Sequence, residues 1–199
     1  MKIAFLPSIA LLGAAPLAAQ ATHDPVAVEA GTYQTDPNHT LVAFDVNHFG
    51  FTEFYGVFPG ATGTLTLDPK AIAATKLDVS VPLARVSTTN ATLDGELRSA
   101  DWFDADRYPT ARFVSARVTQ TGPRTAKIAG TLTLHGVSKP MVLDATFAGA
   151  GANPLSKAYT VGFQASGHVK RSDFGVTKYV PLVGDDVKLT ISGAFEKSK

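Results

Sequence analysis

His48 is the first side chain whose type and setting suit chemistry. It lies in the segment NHFGFTEFYGVFPG, whose five aromatic residues fall within ten positions: Phe49, Phe51, Phe54, Tyr55 and Phe58. Its strand face is otherwise apolar, and a buried imidazole there needs hydrogen-bonding partners. Two interpretations stay open: a core histidine satisfied by the fold, or an imidazole at the mouth of a pocket. We expect the strand half of this segment to line a pocket and its Phe-rich turn to close one end.

Two pairs of charged residues could also serve chemistry. Arg171 and Asp173 lie two positions apart and share a side if that stretch is extended. They either pair with each other, or the planar fork of Arg171 meets a phosphate or quinone oxygen. Asp94 and Glu96 are also two apart, but helical residues with that spacing do not face each other, so a paired-carboxylate site is not predicted.

Other classes of active site find no support in the sequence. Cysteine is absent, which excludes thiolate and redox chemistry. The five histidines show neither the His-x-His nor the His-x-x-x-His spacing, so no metal site is predicted. No Gly-x-Ser-x-Gly motif and no glycine-rich phosphate loop occurs, so we predict no catalytic residues and no cofactor.

The first 21 residues, MKIAFLPSIALLGAAPLAAQA, predict a secretory signal peptide. Lys2 supplies the positive end, an apolar run follows, and Ala19-Gln20-Ala21 is a small-x-small cleavage site. Thr22 is the predicted first mature residue, and residues 22–199 are expected to form one domain. No cysteine follows the cleavage site, which excludes a lipoprotein anchor.

The charge balance argues against nucleic acid as a partner. Removing Lys2 from the 18 basic residues leaves 17, against 17 acidic ones, so the mature formal charge is zero. No basic run interrupts the mixed charges, which is typical of a solvated surface.

Alternation of apolar and polar residues, the signature of β-strands, dominates after residue 35. Residues 22–35 show no clear period and are expected to form an arm. The alternation predicts eight strands, around residues 42–48, 64–68, 77–83, 112–118, 127–134, 141–147, 161–165 and 187–196. Short links rich in turn residues predict antiparallel pairing.

One segment breaks this rhythm. Leu93 and Leu97 are four apart and Asn90 or Thr89 can cap the first turn, which predicts a short helix between the third and fourth strands. Trp102 and Phe103 follow on a link, where they cap the core or gate one barrel end. Strands this long favour a closed barrel over a sandwich, and eight strands leave room for side chains or one small ligand.

Four stretches carry a recognisable pattern. They are HTLVAFDVNHFGF (39–51), DGELRSADWFD (94–104) with YPTARF (108–113), GTLTLHGVSKP (130–140), and GF (162–163) followed by RSDFGV (171–176). In this order they resemble the YceI-like, polyisoprenoid-binding family of exported bacterial proteins, over residues 33 to 196.

The resemblance implies an all-β, eight-stranded antiparallel lipocalin-like barrel, a periplasmic location, and an elongated apolar pocket for an isoprenoid chain such as a quinone tail or polyprenyl lipid. The family's dimers also imply a homodimer. The sequence departs from the family at Leu93, where a basic residue is common, and at Glu96, where a histidine is common. We expect the ligand-binding residues to be Phe44, Val46, His48, Phe49, Phe51, Trp102, Phe103, Phe113, Leu132, Phe163, Arg171 and Phe174.

The leading hypothesis is a non-catalytic, exported soluble carrier or reservoir of an isoprenoid lipid, with transient contact to a membrane surface. Two alternatives remain at this stage. One is an enzyme acting on a lipid-like substrate through His48, Arg171 and Asp173. The other is a stress-related barrel whose interior is filled by its own side chains.

Overall fold

The computed structural model describes residues 21–198 and contains one antiparallel β-sheet that closes on itself. The predicted signal peptide therefore lies outside the described residues, apart from Ala21. The elements, in chain order, are β1 (Gly31–Thr35), β2 (Leu41–His48), β3 (Thr52–Pro59), β4 (Thr62–Leu67), β5 (Lys76–Pro82), α1 (Ala91–Arg98), β6 (Thr110–Gln120), β7 (Thr125–Leu134), β8 (Val137–Ala152), β9 (Tyr159–Lys170) and β10 (Val183–Lys197).

Ten strands fill eight positions around the barrel. β10 pairs with β1 near its C-terminal end and with β2 along the rest of its length, so β1 and β2 together occupy one position. β4 pairs with β1 and β3 pairs with β2, so these two strands share the next position. β5 to β10 continue the ring and close it. The prediction of an eight-stranded antiparallel barrel, with a helix between its third and fourth positions, is confirmed.

Two local predictions were wrong. Gly31–Thr35 is a strand rather than the end of an arm. It is so short that Tyr33 and Thr35 are its only buried positions, too few to show a period. The Phe-rich turn is limited to residues 49–51, because β3 begins at Thr52. Aromatic residues occupy both faces of β3, with Phe58 buried and Tyr55 exposed. The sequence of β3 therefore shows no alternation of apolar and polar residues.

Glycine at position 56 lets two strands approach closely. The ring of Phe44 on β2 lies across β3 at this point, and a Cβ on Gly56 would stand 2.3 Å from that ring. No side chain fits there without displacing Phe44. This residue is buried in the larger of two apolar clusters, which also contains Phe58, Leu97 and Trp102, whereas the second contains Tyr33 and Phe147.

Helix α1 is capped as the sequence predicts. The Asn90 side chain accepts hydrogen bonds from the backbone N–H groups of Thr92 and Leu93, at 3.1 and 3.2 Å. Leu97 is buried in the larger apolar cluster, which seats the helix on one end of the barrel. Among residues 21–198, no helix is long and apolar enough to cross a membrane.

The segment before β1 crosses the opposite end of the barrel. Thr22 and Ala150 exchange two backbone hydrogen bonds, of 2.7 and 2.9 Å, and Val28 is buried in the second apolar cluster. Tyr33 is fully buried there and donates its hydroxyl proton to the carbonyl of Glu29. Burial, with smaller contributions from Tyr159 and Glu29, raises the pKa of Tyr33 to about 12.

This raised pKa makes the barrel's stability fall at high pH. The unfolded tyrosine ionises near pH 10 and the folded one near pH 12, so the contribution is complete below pH 10 and is lost as the pH rises through 12. The loss should be about 2–3 kcal/mol in the free energy of unfolding. Chemical unfolding of wild type and Tyr33→Phe at several pH values measures it. The variant should lack this component, and equal pH dependence in both proteins would contradict the account.

Candidate functional site

The barrel encloses a cavity of about 480 Å³, within the range of roughly 300–1,000 Å³ typical of ligand pockets. Its wall is built from the inward faces of the strands, including Val42, Leu77 and Ile128. It extends from Leu93 on α1 to Val28 at the opposite end. The interior is therefore not filled by its own side chains, and the filled-barrel alternative does not match the structure.

The middle of the cavity is bordered by small side chains. Ala165 on β9 pairs with Ala145 on β8 and with Ile191 on β10, and all three line the cavity. Gly193, two residues along β10, lines it as well. The small side chains keep the two halves of the cavity connected, so a larger one at position 165 would narrow the passage between them.

The structure brings most of the predicted ligand-binding residues together in the cavity wall. Two do not line it. Phe51 is 85% exposed, because it follows the β2–β3 turn, and Phe174 is buried behind the wall in the 3₁₀ helix Arg171–Phe174. The predicted residues in the wall are Phe44, Val46, His48, Phe49, Trp102, Phe103, Phe113, Leu132, Phe163 and Arg171.

His48 lies in the wall near the α1 end. Its half-buried ring is 4.3 Å from the ring of Phe49 and 6.0 Å from that of Phe54, measured between centroids. Within residues 21–198, no hydrogen bond reaches the His48 ring from any side chain or backbone group. A core histidine satisfied by the fold is therefore not what the structure shows, and the imidazole is free to meet whatever occupies the cavity.

The turn after His48 places two phenylalanines at the rim. Phe49 and Gly50 both have positive φ, 56° and 74°, as a tight hairpin turn matching the strand twist requires. Asn47 supports the turn by accepting a 2.8 Å hydrogen bond from the Gly50 N–H. Phe49 consequently lines the cavity while partly exposed, and Phe51 points away from it into solvent.

Arg171 is a brace for the chain that leads into β10. Its Nε donates to the carbonyl of Gly184 at 2.8 Å, and its two terminal nitrogens donate to Val176 at 2.9 Å and Val183 at 2.8 Å. Burial lowers the pKa of its guanidinium, partly offset by the nearby carboxylate of Asp185. Three backbone carbonyls thus hold this buried cation in place.

The predicted pairing of Arg171 with Asp173 was wrong. Residues 171–174 form a 3₁₀ helix rather than an extended stretch, so the two side chains do not share a side. Asp173 is exposed, while Arg171 is turned inward to the carbonyls. Asp173 is therefore not placed to orient Arg171 as a catalytic group.

Trp102 lies between the guanidinium of Arg171 and the cavity. It is 8% exposed and lines the cavity near α1. The guanidinium carbon of Arg171 is 5.4 Å from its ring centre, and the ring of Tyr179 is 6.2 Å away. Its Nε1 is buried and has no hydrogen-bond partner in the described part of the chain.

The sequence reasoning missed seven polar residues of the wall: Thr40, Thr75, Glu96, Gln120, Arg124, Thr125 and Tyr179. Glu96 follows Leu93 by three positions, so helical periodicity would have placed both on the cavity side. Thr75 shares the parity of Leu77 on β5, so extending that alternation by one step would have found it. Tyr179 lies in an irregular segment without any periodic signal. Across residues 21–198, no group of three His, Asp or Glu side chains is placed to hold a metal ion.

A family model described as the YceI-like domain matches residues 33–195. The chain belongs to the YceI-like family. A UPF0312 protein of Pseudomonas syringae pv. tomato is similar to it, with 36% identity over 160 residues, covering 80% of this chain and 83% of the relative. The resemblance inferred from the four sequence stretches is thereby confirmed.

Solved structures of similar proteins share the barrel. The Campylobacter jejuni YceI protein has 32% identity and a TM-score of 0.68, covering 77% of this chain and 90% of that one. A polyisoprenoid binding domain from Saccharophagus degradans is similar in fold alone, with 13% identity and a TM-score of 0.61, covering 85% of this chain and all of that one (100%). The YceI-like barrel is therefore retained at low sequence identity.

The bracing role of Arg171 predicts a large effect on stability. Arg171→Met leaves buried carbonyls without donors, and we expect a loss of about 3 kcal/mol or more in the free energy of unfolding. Asp173→Asn is the control, with an expected change within about 0.5 kcal/mol. Urea unfolding followed by tryptophan fluorescence measures both. Equal destabilisation by the two substitutions would indicate that Arg171 and Asp173 stabilise the fold as an ion pair. That result would contradict the bracing role of Arg171.

Proposed function

We propose that this protein is an exported soluble carrier or reservoir that holds the chain of an isoprenoid lipid, of quinone or polyprenyl type, inside its barrel without converting it. The cavity carries the proposal, because it is long and connected and its wall is predominantly apolar from one end of the barrel to the other. Such a space suits a long, flexible hydrocarbon better than a compact polar substrate.

The energetics of such a cavity favour exchange of lipid between the protein and a membrane. Each buried CH₂ group gains about 0.8 kcal/mol relative to water. A membrane lipid starts in hydrocarbon, so its tail gains little on transfer from the bilayer into the cavity. Net affinity then depends on shape fit and on polar contacts to the head group. A carrier that must both load and release its cargo needs this balance.

Membership of the YceI-like family and the polyisoprenoid-binding neighbour from Saccharophagus degradans support an isoprenoid as the cargo. The chemistry of the wall supports it too, because branched and aromatic side chains dominate where an isoprenoid chain would lie. Examples are Phe113, Leu132 and Ile191.

Absence of turnover is part of the proposal. The three groups considered for catalysis, His48, Arg171 and Asp173, do not assemble into a site. Arg171 is committed to backbone carbonyls and Asp173 is exposed. His48 lies in the wall without a nucleophile hydrogen-bonded to it among the described residues, and general base catalysis needs such a neighbour.

Export to the periplasm is likewise proposed, on the signal-peptide pattern of residues 1–21. Cleavage after Ala21 would leave Thr22 at the N-terminus, still able to pair with Ala150 through its backbone. The intact mass of protein produced in an exporting bacterium tests this.

We further propose that loading occurs by transient contact of one barrel end with a membrane. Two loops at the α1 end form a rim, residues 49–52 and 179–184, and neither contains a charged residue. The N–H of Phe49 donates to the carbonyl of Leu182 at 2.9 Å, so the loops are adjacent. Phe51 and Leu182 are exposed, the latter by 61%. Phe49 and Tyr179 are exposed and also line the cavity, so the rim surrounds a mouth.

Charges on the rim should abolish membrane contact. Phe51→Asp combined with Leu182→Asp should remove flotation with phosphatidylcholine vesicles, because carboxylates do not enter the apolar layer. Leu155→Asp is the matched control, since Leu155 is 91% exposed but lies on the β8–β9 turn at the other end. The rim could instead form the interface between two copies of the chain. The wild type would then sediment as a dimer and the double variant as a monomer, and that result would contradict membrane contact.

Lipid extraction from protein purified without detergent tests the carriage of lipid. The wild type should yield an isoprenoid lipid near one molecule per chain by mass spectrometry. Ala165→Phe narrows the middle of the cavity and should lower that ratio about fivefold or more, because overpacking costs about 1–3 kcal/mol. Ala43→Phe, on the outer face of β2, is the control and should keep the lipid. Empty wild-type protein would overturn the proposal.

A further inference from the structure

The indole N–H of Trp102 is a buried donor that the described protein does not satisfy. Trp102 is more than nine-tenths buried and its ring lines the cavity, while Nε1 finds no acceptor among residues 21–198. Leaving a buried donor unpaired costs free energy, and native structures rarely tolerate it without a ligand or water. An indole N–H can donate but not accept, so only an acceptor can satisfy it.

The surroundings of Trp102 favour an electron-rich acceptor. The guanidinium of Arg171 lies 5.4 Å from the indole ring centre and stays charged. Its hydrogen bonds to Gly184, Val176 and Val183 fix it in place, so it contributes a positive potential at this end of the cavity. Three carboxylates also lie at this end: Asp101 pairs with Lys178, and Asp185 accepts hydrogen bonds from the N–H and hydroxyl of Ser172 beside Arg171. Glu96 lines the cavity but is exposed, so solvent screens its charge.

We propose that Trp102 Nε1 donates a hydrogen bond to an oxygen on the polar head of the bound lipid, and so orients the head toward the rim and selects lipids that carry such an oxygen. This inference rests on the proposed function, and it adds the chemical class of the head: a carbonyl, as in a quinone, or a phosphate. The tail then extends past Ala165 toward Val28, where apolar side chains dominate the described wall and the polar side chains of Gln120, Arg124 and Thr125 lie at its outer end.

One other wall atom competes for this role. The hydroxyl of Thr75 is also buried without a partner and lines the cavity. It lies beside β5 in the half that contains Ile72, away from the Arg171 brace. A hydroxyl can donate or accept and can rotate, so it sets a weaker demand on a ligand than a fixed indole N–H. Trp102 is therefore the better candidate for the head group.

Competition binding with three probes of one tail length tests the inference. The probes are a benzoquinone with a short isoprenoid tail, the isoprenoid diphosphate, and the isoprenoid hydrocarbon, each displacing an apolar fluorophore from delipidated protein. Trp102→Phe should weaken binding of an oxygen-bearing probe about threefold to tenfold and leave the hydrocarbon unchanged. Loss confined to the quinone identifies a carbonyl head, and loss confined to the diphosphate identifies a phosphate. Ala43→Phe, on the outer face of β2, is the control and should change none of the three, and Thr75→Val tests the competing hydroxyl.

A second readout distinguishes the loss of a hydrogen bond to Trp102 from a change in the shape of the cavity. Trp102 is the only tryptophan of the chain, so one indole N–H resonance reports on it. That resonance should move downfield with the oxygen-bearing probe and not with the hydrocarbon.

Three results would overturn the inference. Equal weakening of all probes by Trp102→Phe would assign the ring a packing role. No weakening of any probe would remove it from the site, and loss of selectivity in Thr75→Val would place the head at the other end. Wild-type protein that binds none of the probes would instead defeat the proposed function itself.

Discussion

Closure of the sheet through β10 is the constraint on which the rest of the structure depends. β10 pairs with β9 along one edge, and with both β1 and β2 along the other. Because β10 pairs with β1 as well as with β9, β1 and β4–β10 form a closed ring of backbone ladders that holds the wall. Among the described strands, β3 pairs with β2 alone, and an isolated bridge between Val57 and Ser87 covers part of its other edge. The interior can then stay unfilled at its middle, where Ala145 and Ala165 face a connected cavity. A sandwich of the same strands would need those positions packed.

The two ends of the barrel differ in how they are finished. At one end, the segment before β1 is held by backbone pairing of Thr22 with Ala150 and by the buried side chains of Val28 and Tyr33. At the other, α1 and the loops around Arg171 leave exposed aromatic side chains beside the cavity. Exposed residues of the β6–β7 turn, Pro123 and Arg124, also line the cavity beside the segment before β1. The two ends therefore differ in surface chemistry: a charged turn stands at one, and the apolar loops of the rim at the other.

The sequence was sufficient for eight of the ten strands, because one face of each is buried and the residues alternate accordingly. It missed β1, which is too short to show a period, and β3, which has aromatic residues on both faces. It also located the capped helix at Asn90, and inward residues such as Phe44 and Phe113. It failed where several chain segments meet. Arg171 looked like the partner of Asp173, but its acceptors are carbonyls brought close by the chain reversal before β10. Tyr179 joins the wall through the same reversal. Such contacts depend on tertiary geometry, for which residue spacing carries no signal.

An experimental structure of the protein as purified from an exporting bacterium, without detergent, tests the central claim most directly. The account predicts one continuous, chain-shaped density in the cavity, passing Ala165 and ending in a polar group within hydrogen-bonding distance of Trp102 Nε1. A cavity that holds only water, or one that collapses so that side chains meet across Ala145 and Ala165, would contradict it. In that case the apolar wall would be ordinary core, and lipid carriage would have no structural basis.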